Sequence, residues 1–211
     1  KRKTEMVAEC LLSQIRKVRG NGYRVEKLFV DGESTMVSAK EFLADHGIEV
    51  VRVGTGEHVT VVERVIRVVK ERIRCVIVEI PWRFPHGLTK WIVYYVVVRI
   101  NSLPRKSSGI GSSAREEFRG TKLDYTKDLS ISFGDYTQAY RAPKVKNSME
   151  SRTAGCIALC PMDNMTKSWI FFNLITCRTF AASSWKLLPT PDIVINRMND
   201  IADGHADVKT D

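Results

Sequence analysis

The amino-acid sequence predicts an α/β protein, and three observations support this fold class. Apolar residues recur at steps of three and four between Val62 and Ile80, which is typical of one helix face. Upstream, the order is a short apolar strand, a short helix and a second strand. Downstream of a Ser/Gly-rich stretch, short apolar runs of strand length predict a small, mostly antiparallel β module.

The first half of the chain is predicted element by element. Residues 4–19 form a helix closed by Gly20-Asn-Gly22. The run Lys27-Leu-Phe-Val is a strand that ends in an acidic turn containing Asp31 and Glu33, residues 38–46 form a helix that ends at Gly47, and residues 48–53 form the second strand. Residues 88–100 predict a buried helix, although their many Val and Tyr residues also permit a strand.

The second half begins at the connector, residues 103–113, which is the best candidate for a domain boundary. Five segments after it have the length and apolar pattern of strands, namely residues 129–133, 136–140, 155–159, 169–172 and 178–181. Residues 191–202 predict a closing helix with Pro191 in its first turn. The module could either contact DNA or only pack on the rest of the chain, and both roles stay open. If it contacts DNA, the candidate residues are Arg141, Lys144, Lys146 and Arg152.

Composition limits the class of protein. The chain has 211 residues, 44% of them hydrophobic and 27% charged, which suffices for a buried core. The net charge of +9 fits a protein that binds a phosphate backbone, although a charge of this size also serves solubility. The longest apolar runs, residues 76–80 and 91–98, are shorter than the ~20 residues of a membrane span. No membrane partner is therefore expected.

Cysteine usage predicts an intracellular protein. Five scattered cysteines with no secretory leader at the N-terminus indicate free thiols in a reducing compartment. Cys156 and Cys160 form a C-x3-C pair, but no second pair of Cys or His lies near them, and structural zinc normally takes four ligands. A zinc site is therefore not predicted.

One acidic residue stands at the head of a basic helix. Glu63, Arg67, Lys70 and Arg74 fall at i, i+4, i+7 and i+11 and form one stripe opposite the apolar face. Asp31, at the tip of the first strand, is the second acid that could approach the same site. Carboxylate ligands favour Mg²⁺ or Mn²⁺ over zinc. The alternative is an ordinary solvated helix face with one Glu–Arg pair.

Motifs along nearly the whole chain resemble the integrase core and downstream region of copia-type retrotransposon polyproteins, a branch of the retroviral-integrase-like superfamily. The motifs are Phe29-Val-Asp31-Gly-Glu33, His46-Gly-Ile48, Gly56-Glu-His-Val59, Val62-Glu-Arg64, Ile66-Arg-Val-Val-Lys-Glu-Arg72, Arg99-Ile-Asn-Ser-Leu-Pro104, Leu123-Asp-Tyr-Thr-Lys127, Phe133-Gly-Asp-Tyr136, Asn147-Ser-Met-Glu-Ser-Arg-Thr153, Phe171-Phe-Asn-Leu-Ile-Thr176 and Trp185-Lys-Leu-Leu-Pro-Thr-Pro191. The resemblance implies a partial RNase H-like integrase core followed by the β module. The implied domains are 1–102, the partial catalytic core; 103–120, the connector; 121–190, the β module; and 191–211, the C-terminal helix and tail.

The resemblance also assigns roles. Asp31 and Glu63 would be the second and third members of an Asp-Asp-Glu triad, both catalytic and both metal ligands, and Arg64, Arg67, Lys70 and Arg74 would bind DNA. The intact protein would integrate DNA by Mg²⁺- or Mn²⁺-dependent phosphoryl transfer on element ends and target DNA, with integration in the nucleus. The intact protein could form a homo-oligomer, and its oligomeric state is open. Residues 1–30 contain no candidate for the first Asp, so this chain is expected to bind metal at low occupancy and to be inactive.

The alternative function is a noncatalytic nucleic-acid-binding or assembly module, a relic of a transposable element. Departures from the family pattern favour it. Cys160 and Cys177 stand where the family usually has Gly, Lys167-Ser168 replaces another Gly-bearing turn, and Ser34 replaces an aromatic residue. A turn that needs positive φ accepts Gly at no steric cost and accepts other residues poorly.

Overall fold

The computed structural model describes residues 2–30, 40–52, 60–104, 111–141, 149, 151–162, 164 and 166–204. Contacts between residues divide the chain into two units, Lys1–Val68 and Val69–Asp211. The described parts mix helices with sheets, and the second unit contains a five-stranded antiparallel sheet. The predicted α/β class and the antiparallel β module are confirmed at this level.

The first unit contains a parallel pair of strands and three helical segments. They are α1 (Arg2–Gly20), β1 (Lys27–Val30), α2 (Lys40–Ala44), β2 (Glu49–Arg52) and the beginning of α3 (Thr60–Glu79). Strand β1 pairs with β2 in parallel, with Leu28 beside Val50. A parallel pair needs a crossover, and α2 lies within it. The predicted strand, helix, strand and helix are therefore confirmed in this order.

Helix α1 buries one stripe of its surface. Ala8, Leu12 and Ile15 are spaced at i, i+4 and i+7 and are buried, so they face the same side of the helix. They form one core with residues of α2, of both strands and of the turn before β2, namely Val30, Leu43, Ile48 and Val50. Helix α2 is followed by Gly47 at φ +69°, whose amide donates to the Ala44 carbonyl at 2.9 Å. Glycine adopts this left-handed conformation without steric cost.

Helix α3 follows the predicted periodicity over 20 residues. Val69, Ile73, Val76 and Ile77 are half-buried and pack against the core of the second unit. The apolar residues of the first turns have the same spacing but are exposed, as at Val62 (52%) and Val65 (57%). The predicted helix is confirmed. Among the described residues, its apolar face packs against the core along the C-terminal half of the helix and is exposed in the first turns.

Helix α4 (Thr89–Ser102) settles the choice between helix and strand for this apolar segment. A 3₁₀ turn (His86–Leu88) leads into it. Its residues Ile92, Tyr95 and Val96 are buried at helical spacing, whereas a strand would place Tyr95 and Val96 on opposite faces. The three side chains belong to the same core as the β-sheet. The helix, which the sequence analysis assigns to the partial catalytic core, therefore packs on the β module.

The sheet of the second unit contains five strands in the order β6-β5-β4-β3-β7, all antiparallel to their neighbours. The strands are β3 (Tyr136–Tyr140), β4 (Thr153–Pro161), β5 (Trp169–Asn173), β6 (Thr179–Ala182) and β7 (Trp185–Leu187). Strand β4 is central and carries a register shift between Ala158 and Cys160 where it pairs with β5. Four of the five predicted strands are confirmed.

The predicted strand at residues 129–133 is wrong. These residues form turns after two short helices, α5 (Ala114–Arg119) and α6 (Tyr125–Asp128). Asp135 accepts a hydrogen bond from the Ser132 amide at 2.7 Å, and Gly134 adopts φ +94°. This turn chemistry overrides the alternating pattern of Leu129 to Phe133.

The core of the second unit is aromatic and is closed by the last helix. Trp169, Phe171 and Phe172 are among its largest fully buried side chains. Helix α7 (Asp192–Ala202) adds Val194, Met198 and Ile201 to the same core. Pro191 precedes this helix at its N-cap position, so the predicted closing helix is confirmed.

Among the described residues, two that carry side chains occupy left-handed backbone positions. Lys167 has φ 52° and Cys177 has φ 53°, and both lie in the turns where the family pattern has Gly. Such a position costs about 1–3 kcal/mol for a residue other than glycine. Each side chain has a contact in place: Lys167 pairs with buried Asp128 at 3.1 Å, and Arg197 approaches the Cys177 sulfur at 3.6 Å. Cys160, by contrast, lies in β4 rather than in a turn.

Candidate nucleic-acid interface

Each strand of the parallel pair β1–β2 precedes one of the two predicted acids in the sequence, Asp31 after β1 and Glu63 after β2. Val30 at the end of β1 pairs with Arg52 at the end of β2, so the carboxyl ends of both strands lie at one edge. Asp31 follows Val30 directly in the sequence. Asp31 and Glu33 themselves lie outside the described residues. In open α/β sheets, ligands usually bind beyond the carboxyl ends of the strands.

Glu63 lies on a different element of the same unit. It lies in the first turn of α3, and its side chain is exposed. The positive end of the helix dipole favours a carboxylate at this position. Seven residues, 53–59, join the end of β2 to α3, and they lie outside the described residues. In the sequence, α3 therefore follows the carboxyl end of β2, as Asp31 follows that of β1.

The predicted metal site remains a prediction. Glu63 offers hard oxygen atoms of the kind that Mg²⁺ and Mn²⁺ prefer. In the part of the chain that the structure describes, no group of three or more His, Cys, Asp or Glu side chains could hold a metal ion. Asp31 lies outside those residues, so the pair of Asp31 and Glu63 stays a prediction.

The predicted basic stripe lies on a continuous, exposed helix surface. Arg67, Lys70 and Arg74 of the predicted stripe, and the neighbouring predicted DNA-binding residue Arg64, are all in α3, and all four side chains are exposed. With a rise of 1.5 Å per residue, the ten steps from Arg64 to Arg74 span about 15 Å. Consecutive phosphates of one DNA strand advance by about 3.4 Å along the duplex, so this length matches roughly four nucleotides. The helical spacing is confirmed, and contact with DNA remains a prediction.

A second basic surface lies on the five-stranded sheet. Arg141, just after β3, and Arg178, just before β6, line one cleft of about 460 Å³ together with Thr176 and Thr179. Both arginine side chains are exposed. Guanidinium and hydroxyl groups are common donors to phosphate oxygens.

Arg141 is one of the residues predicted to face DNA, and Arg178 is missed by the sequence analysis. Arg141 and Arg178 lie close together because of the order of the strands in the sheet. The polar residues around the turn at Cys177 are the one sequence signal that could have indicated Arg178. The Arg141 amide donates to the carbonyl of Arg152, a second predicted residue, at 2.9 Å, and Arg152 directly precedes the neighbouring strand β4. Lys144 and Lys146 lie outside the described residues.

The five cysteines are free thiols, and Cys156, Cys160 and Cys177 are buried. Burial raises the pKa of Cys156 and raises that of Cys160 to about 12. At physiological pH these two side chains are therefore neutral members of the core.

Comparisons with known proteins leave the function to be argued from these residues. No protein-family model matches the chain, and no curated protein is significantly similar to it. Among the described helices, none is long and apolar enough to cross a membrane.

Proposed function

We propose that the chain is part of a copia-type retrotransposon integrase, with a partial RNase H-like catalytic core in its first unit. The observation that carries this proposal is the parallel β1–β2 pair. Asp31 follows the carboxyl end of its first strand, and Glu63 lies in the first turn of the helix after its second strand. An acid at a strand end and another on a following helix suit a metal site for phosphoryl transfer.

The form of the small sheet supports this proposal. Parallel sheets normally have both faces covered by helices. Within the described residues β1 pairs only with β2, and the Phe29 side chain of β1 is 58% exposed. An exposed aromatic side chain on a two-stranded parallel pair is what we expect of one section of a larger sheet.

The proposed roles follow from the chemistry of each residue. Asp31 and Glu63 would hold Mg²⁺ or Mn²⁺ through their carboxylates. The metal, when bound, supplies charge stabilisation for the attacking and leaving oxygens of a phosphodiester. Arg64, Arg67, Lys70 and Arg74 would bind the phosphates of element ends or target DNA and orient the DNA beside the acids. The integration step would take place in the nucleus.

The first acid of the triad has no candidate in residues 2–30. Glu5 and Glu9 lie on α1, and Glu26 pairs with Arg24 at 2.8 Å before β1 begins. We therefore propose that these 211 residues bind DNA and are inactive by themselves. Activity would need a further carboxylate beside Asp31 and Glu63.

A specific observation favours a second candidate, a noncatalytic DNA-binding or assembly relic. Lys167 and Cys177 occupy backbone positions that suit glycine, and each costs about 1–3 kcal/mol there. A sequence no longer selected for activity would accumulate such changes. Lys167 has an ion-pair partner in Asp128, however, so its cost is partly offset.

Strand transfer and nicking on a labelled DNA end, with Mn²⁺ present, separate the two candidates. The chain is compared with a longer protein that adds upstream polyprotein sequence, and each is also tested as Glu63→Gln. The integrase proposal predicts activity in the longer protein alone and its loss on Glu63→Gln. If neither protein is active although both bind DNA, the relic is the better assignment. If neither binds DNA, both candidates fail.

A further inference from the structure

The second unit also contains a cavity of about 390 Å³ between α4, α5 and the end of β4. Ligand sites of small molecules typically measure about 300–1,000 Å³. The lining combines aromatic, aliphatic and cationic side chains, among them Tyr94, Val98, Arg115, Phe118, Arg119 and Met162. None of these residues takes part in the proposed catalytic site.

Helical spacing brings the chemically distinct groups to one side of the cavity. Tyr94 and Val98 lie at i and i+4 on α4, and Arg115, Phe118 and Arg119 lie at i, i+3 and i+4 on α5. Residues with these spacings share one helix face. The cavity therefore has an aromatic residue from each of two helices and two guanidinium groups from one of them.

Helix α5 is held in place by a complete capping box. The Ser113 side chain accepts from the Glu116 amide at 3.2 Å, and the Glu116 carboxylate accepts from the Ser113 amide at 2.8 Å. The same carboxylate accepts from the Leu123 amide at 2.9 Å, and these hydrogen bonds lower the pKa of Glu116. Gly120 ends the helix at φ +67°. The two arginines are thus presented from a fixed short helix.

The electrostatics of the cavity favour an anion. Arg115 and Arg119 are one turn apart on the same face. Burial, followed by the charge of Arg115, lowers the pKa of Arg119. Each effect disfavours the charged guanidinium, and a nearby anion would oppose both.

We propose that this cavity binds one unpaired nucleotide of a nucleic-acid strand, with the base against Tyr94 and Phe118 and a phosphate at Arg115 and Arg119. Stacking on aromatic side chains and phosphate contacts from arginine are the two means by which proteins bind single strands. The proposal rests on the proposed function for its partner, nucleic acid, and uses different residues from the basic stripe of α3. An unpaired nucleotide near a DNA end is its natural occupant.

The test measures fluorescence anisotropy of the full chain with three labelled DNAs. They are a single-stranded tetranucleotide, the same strand with abasic sites, and a blunt duplex. We expect the normal strand to bind at least about fivefold more tightly than the abasic strand, the lower limit for one stacked base. Phe118→Leu should remove this difference and leave duplex binding unchanged, and Tyr94→Leu gives a second test should Phe118→Leu fail to fold.

Charge controls complete the test. Arg119→Gln should weaken binding of the single strand more than Lys186→Gln, which removes an equal charge from exposed strand β7. The proposal is overturned if normal and abasic strands bind equally, if both leucine variants keep the difference, or if an acidic tyrosine-containing peptide displaces the strand and binds more tightly. Failure of the blunt duplex to bind wild-type protein would instead contradict the proposed function, because the stripe on α3 requires no unpaired base.

Discussion

The two units differ in the chemistry of their cores. Among the described residues, the core of the first unit contains seven buried hydrophobic residues, all of them aliphatic, and the core of the second contains twenty-two, including Trp169, Phe171 and Phe172. Aromatic side chains contribute the most buried area per residue. The acids proposed for catalysis belong to the first unit, and the aromatic core belongs to the second. The proposed chemistry and the aromatic core therefore lie in different units of the chain.

The largest effect is expected in the aromatic core. Phe171→Ala should lower the free energy of unfolding by about 3–5 kcal/mol, because it removes a fully buried ring from the middle strand pairings of the sheet. Urea unfolding followed by tryptophan fluorescence measures this loss. Ile193→Ala, at a position 76% exposed, is the control and should change stability by less than about 0.5 kcal/mol. Equal effects of the two substitutions would contradict the described core.

A matched substitution in the first unit should act locally. Leu43→Ala removes a side chain that is 1% exposed, with an expected cost of about 2–4 kcal/mol. Since its core partners all lie in the first unit, amide hydrogen exchange should accelerate in β1 and β2 while β4 and β5 keep their protection. Uniform acceleration in both sheets would show that the two cores form one cooperative unit.

The basic stripe of α3 should govern the salt dependence of DNA binding. Replacing Arg67, Lys70 and Arg74 together by Gln should reduce the slope of log K against log salt by about 2.7, because each phosphate contact contributes about 0.9. Anisotropy titrations of duplex DNA at several salt concentrations give the slope. A triple Gln variant of Arg141, Arg178 and Lys186, three exposed residues of the sheet region, removes an equal charge and tests the second basic surface in comparison. A larger reduction of the slope in the sheet variant would show that the main DNA contact lies on the sheet.

The smallest effect concerns pH. Burial raises the pKa of Cys160 from 9.0 to about 12 in the folded protein. A raised folded pKa stabilises the protein below pH 9, and this stabilisation is lost as pH rises from 9 towards 12. At pH 10 the loss should be about 1 kcal/mol. Unfolding of wild type and of Cys160→Ala between pH 7 and 10.5 should show a flatter alkaline decline in the variant, and parallel curves would refute the assignment.

Periodicity in the sequence predicted the elements whose residues pack through one face. The spacing of apolar residues predicted α3, and Pro191 marked the start of α7, whereas the Val and Tyr residues of α4 also permitted a strand. The alternation of apolar residues from Leu129 to Phe133 predicted a strand, and this was wrong. The hydrogen bond to Asp135 and the positive φ of Gly134 form a turn there instead. Strand β7 was missed because its three residues become a strand only by pairing with β3.

The candidate site was predicted in part for the same physical reasons. Asp31 and Glu63 stand out because one follows an apolar strand and the other begins a helix, and both features are local. Arg178 and Arg119 do not stand out, because strand order and helix packing determine what lies beside them. The positive φ of Cys177 was indicated by the missing glycine of the family pattern, which is again a local signal.

Metal-directed backbone cleavage tests the central claim, that Asp31 and Glu63 form one metal site. Fe²⁺ at millimolar concentration replaces Mg²⁺, and ascorbate with peroxide then generates radicals that cut the chain near the bound ion. We expect cuts near both residue 31 and residue 63, suppressed by excess Mg²⁺ and by either Asp31→Asn or Glu63→Gln. Cuts near only one of the two acids, cuts that survive both substitutions, or no cut near either acid would contradict it.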